Sequence, residues 1–143
     1  MRSKQLMLLA PMLALIAIIV ACTAPSGRRR AESTACGNYM CSTCIAARAW
    51  AQDGDGHLPS DLLCMSNEVA SPRILVCPGD HFRRPATNWA SFTPDQSSFE
   101  IVTPHLLDGD TNGVFLRCKF HHDHLGYADG TVFDGSTRRT KVH

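Results

Sequence analysis

The chain opens on two consecutive hydrophobic patterns of different kinds. Leu6 to Cys22, LMLLAPMLALIAIIVAC, is seventeen residues without a charge, just under the roughly 20 apolar residues that cross a hydrocarbon core as a helix. Pro11 interrupts the run, which membrane helices tolerate because neighbours re-satisfy the freed backbone groups. Arg2 and Lys4 precede it, so the N-terminus is expected to stay cytoplasmic and everything after Cys22 to be delivered outside. A second pattern begins near Ser33 or Thr34. Cys36, Met40, Cys44, Ala47 and Ala51 recur at helical spacing with Tyr39, Ala46 and Trp50 beside them, while Asn38, Ser42, Arg48 and Gln52 fall mostly elsewhere. That predicts an amphipathic helix with one stripe, Trp50 included, against a core. Asp53-Gly54-Asp55-Gly56 should end it, and Pro59 bars resumption.

Past residue 60 the period changes. Asp61 to Ser66 predicts a short helical turn. Arg73 to Cys77 is a compact β-branched run ended by Pro78-Gly79-Asp80, predicting a strand and a turn. Ser98 to Val102 alternates apolar and polar residues, and Val114 to Cys118 is a further strand. Leu125 to Ala128 and Thr131 to Phe133 bracket Asp129-Gly130, the dipeptide of a tight hairpin. Short, turn-rich connections predict an antiparallel sheet with one face covered by the amphipathic helix. The fold class is therefore α+β, a long N-terminal helix, half membrane and half amphipathic, packed on a small antiparallel sheet. Residues 1–22 are the hydrophobic anchor or signal segment, 23–34 a basic, flexible tether, and 35–143 the soluble domain.

Composition narrows the picture. Of 143 residues, about 20 belong to the anchor, leaving one small domain with a modest core. Fourteen Lys and Arg against thirteen Asp and Glu, a formal net charge of +1, supply no field that would concentrate a nucleic acid. Seven cysteines are many for this length, and an exported chain sits where disulfides persist. Ile19-Val20-Ala21-Cys22 fits a lipobox, so Cys22 is a lipidation candidate, the alternative being an uncleaved membrane span.

Three constellations carry candidate chemistry. Asp108, Asp110 and Asn112, with Gly113 at the sharp turn, reproduce the start of a calcium loop. Lys119 stands where a closing glutamate belongs, and the competing reading is a polar turn between strands. Cys41-x-x-Cys44 with Cys118-x-x-His121 has the spacing of a structural zinc site, although the first pair sits within a predicted helix. His121-His122-Asp123-His124 is the densest polar cluster; strand alternation would put His122 and His124 on one side and His121 on the other. No Gly-rich phosphate loop, serine elbow or shielded carboxylate pair occurs, so no catalytic residue and no enzymatic activity are expected.

Several motifs resemble one family. Cys36-Gly37-Asn38 opens the soluble helix, Trp50-Ala51-Gln52-Asp53 through His57-Leu58-Pro59 closes it, and Leu75-Val76-Cys77-Pro78-Gly79-Asp80 follows. Arg117-Cys118-Lys119-Phe120-His121 and Gly126-Tyr127-Ala128-Asp129-Gly130-Thr131-Val132 come last. Together with Ala86 to Phe92, they resemble a bacterial subfamily of type IV pilin-like proteins, related to the type II secretion pseudopilins. The resemblance implies a structural or assembly role in a secretion or pilus-type system, with the membrane and other pilin-like subunits or secretion machinery as partners. Cys77 and Cys118 match family cysteines at strand ends and form the disulfide candidate, and a calcium site in a late loop is known among pseudopilins. The cleavage-site glycine and the mature-end glutamate of pilins have no counterpart here. A lipoprotein acylated at Cys22, using a pilin-like head as a binding module, is the alternative, and a metal-dependent enzyme built on the histidines is a third reading.

Overall fold

The computed structural model describes residues 26–136 in full and the backbone alone of 2–25 and 138–139. The chain divides into two units, Met1–Ala31 and Glu32–His143. Helix α1 is Arg2–Asp53, and its side chains are described from Ser26 onward. Among the residues described with their side chains, no helix is long and apolar enough to cross a membrane. The apolar run from Leu6 and the lipidation candidate Cys22 lie outside those residues. Where sequence placed a flexible tether and a helix start at Ser33 or Thr34, residues 26–34 are helical. Arg28, Arg29, Arg30, Ala31 and Glu32 are good helix formers, and Gly27 opposes them by only about 1 kcal/mol.

In the second unit, helical spacing has the predicted outcome. Cys36, Met40, Cys44, Ala47 and Ala51 are all buried, one stripe in contact with the sheet. Trp50, beside that stripe, is partly buried and packs against the same core, as expected, without being fully enclosed by it. The helix ends as predicted: Gly56 adopts φ +84° and its amide returns to the Ala51 carbonyl at 3.0 Å, a conformation glycine takes without the Cβ penalty.

Four antiparallel strands follow, β1 Phe99–Ile101, β2 Val114–Cys118, β3 His124–Tyr127 and β4 Val132–Asp134, extended by the two-residue β5 Arg138–Arg139. Neighbours in sequence are neighbours in the sheet. Phe99 pairs with Cys118, Arg117 with Leu125, and Gly126 with Val132. Gly130, at φ +85°, turns β3 into β4, as Asp129-Gly130 predicted. Phe99, Phe115, Leu116 and Val132 meet the helix stripe in one core that also takes in Leu58, Leu62, Met65, Val69 and Leu75.

The Arg73–Cys77 strand is not formed. Pro72–Leu75 is a turn of 3-10 helix, with Pro72 at its start and the Ser71 hydroxyl accepting from the Arg73 amide. Serine before proline is a helix-start pattern, and it outweighs the β-branched composition that suggested a strand. Sequence correctly placed the helical turn after Asp61: Leu62–Met65 is 3-10, capped by the Asp61 carboxylate.

Candidate functional site

Four potential ligand groups converge where the helix, the segment after the Pro72 turn and the β2–β3 connection meet. The sulfurs of Cys36, Cys77 and Cys118 and a ring nitrogen of His121 all lie within 4.8 Å of one another. The three cysteines are buried and His121 is half-buried. Cys36 is placed by the first turns of the buried stripe. Cys118 ends β2, and Cys77 follows the Pro72 turn. The chain then reverses, bringing His121 back over Cys118, with the His121 amide donating to the Cys118 sulfur at 3.2 Å.

Within the cluster, the Cys36 and Cys118 sulfurs are 3.6 Å apart, and Cys77 Sγ lies 3.2 Å from His121 Nδ1. Thiol hydrogen bonds from Cys36 and Cys77, reinforced by backbone amides, hold the Cys118 thiol far below its ordinary pKa. Donating to Cys118 pushes the Cys36 thiol up, and burial adds to that. Cys77 is pushed up to about 11, chiefly by its own bond to Cys118. No disulfide forms among the described cysteines; Cys77 and Cys118, the predicted pair, stand together with Cys36 and His121 as partners.

The His121 ring is held from two sides. Phe120 meets it edge-on at 4.9 Å between centroids, and His124 stacks on it at 4.7 Å and 19°. Gly79 makes room for this: a Cβ there would stand 2.7 Å from Phe120 Cε1 and 3.1 Å from His121 Cε1. His124 is buried, its Nε2 3.1 Å from Ser33 Oγ, and burial lowers its pKa. The strand alternation assumed for the histidines fails because residues 119–123 form a turn, so His121 and His124 come together and His122 and Asp123 face solvent.

The zinc quartet read from spacing is half present. Cys118 and His121 contribute, but Cys41 points at the Gly130 carbonyl, 3.8 Å away, and Cys44 is buried against Gly126, its thiol pushed up by burial. Cys36 and Cys77 take their places. No short spacing links those two to each other or to Cys118, and the signal available was that both belong to independent motifs at element ends. In the predicted calcium loop, Asp108 pairs with Arg48 at 2.5 Å and also accepts from Gln52. Asp110 receives the Asn112 amide at 2.9 Å.

A second buried polar centre supports the first. The Asp80 carboxylate accepts from Ser98 Oγ at 2.8 Å and from Arg83, with the Phe82 and Arg83 amides closing the turn. Burial alone would raise its pKa, but the Ser98 hydroxyl and the Arg83 guanidinium outweigh it and hold the carboxyl below the ordinary range. Asp80 therefore fixes the Cys77-Pro78-Gly79 bend to Ser98, the residue before β1. No protein-family model, curated protein or solved structure matches the chain.

Proposed function

We propose that the protein is a membrane-anchored, pilin-like envelope protein with a structural or assembly role in a secretion or pilus-type system, its head exported to the periplasm or cell surface. The observation that supports this reading is the use of the N-terminal helix. Cys36, Met40, Cys44, Ala47 and Ala51 are buried along it, and the face they form lies on an antiparallel sheet of sequential strands. A helix so used is the core element of its own head, and the same chain segment carries the apolar run that begins at Leu6. Its partners are the membrane and other pilin-like subunits or secretion machinery, and it performs no catalysis.

Intact mass of the protein extracted from its native membrane tests the reading. A membrane-bound chain retaining Leu6 to Cys22 is expected. A species that begins at Cys22 with added acyl mass moves the protein to the alternative favoured by Ile19-Val20-Ala21-Cys22, a lipoprotein with a pilin-like binding head. A chain found only in soluble fractions sinks both.

A further inference from the structure

We propose that Cys36, Cys77, Cys118 and His121 form a closed structural site for a thiophilic divalent cation of the zinc class, which clamps the N-terminal helix to the sheet. The inference stands on this cluster alone and does not rest on the anchored reading.

The spacing suits a tetrahedron. Zinc–sulfur bonds of about 2.3 Å place two ligand sulfurs about 3.8 Å apart, and a sulfur and an imidazole nitrogen about 3.5 Å apart. The Cys36–Cys118 and Cys77–His121 separations of 3.6 and 3.2 Å lie within about 0.3 Å of those values, and no two of the four ligand atoms are more than 4.8 Å apart. Three sulfurs and one imidazole are a zinc donor set, soft and four-coordinate. With all four positions supplied by protein, the site leaves none for substrate, which separates a structural centre from a catalytic one.

The surroundings support a metal. On binding, the three thiols release their protons to solvent and the imidazole stays neutral, so three negative sulfurs face two positive charges on the ion. The excess negative charge meets the His121 amide on Cys118, the kind of N–H donor that stabilises a bound thiolate. Nδ1 of His121 faces the sulfurs, and the ring is held between Phe120 and His124, so the ligand is oriented before the ion arrives. His121 is the half-buried member and gives the ion its way in. A disulfide would use two sulfurs and strand a third thiol beside an imidazole that packing has aimed at it.

The test is metal content and speciation of the full chain, purified in detergent without chelator or reductant. About one zinc per chain is expected. Cobalt(II) exchanged into the wild-type protein should give the sulfur-to-cobalt charge-transfer band and the intense visible bands of tetrahedral thiolate ligation, a readout that needs no variant to fold. Cys36→Ser, Cys77→Ser, Cys118→Ser and His121→Ala should each lower retained zinc roughly tenfold or more, while Cys41→Ser and Cys64→Ser leave it unchanged. A wild-type chain with no zinc and no cobalt charge-transfer band overturns the proposal. So does a mass lower by two hydrogens that maps to a disulfide among Cys36, Cys77 and Cys118, or zinc retained in all four ligand variants.

Discussion

Gly126 of β3 lies so close beneath Cys44 of the helix that a Cβ at 126 would stand 2.6 Å from the Cys44 sulfur and 3.2 Å from Leu116 Cβ. The glycine is there for approach rather than for backbone freedom, and it sets how closely the helix lies on the sheet. Gly126→Ala is expected to cost about 1–3 kcal/mol through overpacking. Cys44→Ala in the same background should return part of that loss, because the two positions share one contact. Urea unfolding of the two single variants and the double variant reads the coupling; strictly additive effects would mean that the helix shifts to accommodate the methyl group.

Met40 and Trp50 lie on the same helix but differ in depth. Met40 is fully buried, whereas Trp50 is half-buried at the rim. Met40→Ala should therefore cost about 2–5 kcal/mol. Trp50→Ala, despite removing far more atoms, should cost less, about 1–2 kcal/mol, since its ring is only partly buried. Equilibrium unfolding that ranks the two the other way would put Trp50 inside the core.

Arg48 joins three segments, with Nε bonded to Asp108 and Nη1 donating to the Asp129 carbonyl at 3.0 Å. Because its side chain is 31% exposed, screening limits the pair, and Arg48→Ala is expected to cost about 1–2 kcal/mol. Arg48→Lys keeps the charge but not the two-pronged geometry, and should recover only part of the loss. Thermal unfolding of wild type and both variants at low and high salt measures the ionic share, and a loss in Arg48→Ala that does not shrink with salt assigns the effect to the Asp129 bond.

Asp80 makes stability depend on acid. Its folded-state pKa is lowered by Ser98 and Arg83 against the opposing effect of burial, so the unfolded chain takes up the proton more readily. The contribution is complete above the unfolded carboxyl pKa of about 3.9 and disappears as pH falls through the lower folded value. Asp80→Asn is expected to be less stable than wild type at neutral pH and to lose less on acidification between about pH 5 and pH 2. Parallel melting curves across that range test this; parallel acid slopes for both proteins would show that other carboxylates carry the transition.

Much of the architecture could be read from local signals. The buried stripe of α1, the Asp129-Gly130 hairpin and the strand at Val114–Cys118 each follow from a period or a turn dipeptide contained within a few residues. In the segment from Arg73 two local signals conflict: Ile74 and Val76 favour a strand, while Ser71 and Pro72 just upstream start a helical turn, and the turn prevails. The helical period puts Trp50 on the core side, where it packs, but a period does not fix how completely a ring is enclosed. The candidate site was only half legible. Cys118 and His121 have a ligand spacing of their own, but Cys36 and Cys77 reach them by tertiary folding across gaps that no motif spans. Cys41 and Cys44 offered the shorter and more obvious pair, and the helix turned Cys41 toward Gly130 and Cys44 toward Gly126.

The separation of 82 positions between Cys36 and Cys118 also imposes an order of events. In a chain made from its N-terminus, the apolar stripe of α1 exists long before β2 and β3, the strands that cover it. Contacts of such long range are slow to close, and a domain emerging during synthesis exposes its first-made surfaces until the last arrive. Until β2 and β3 have been made, the strands that bury Cys36, Met40 and Cys44 in the folded head do not exist, so burial of that stripe waits on chain synthesised well after it.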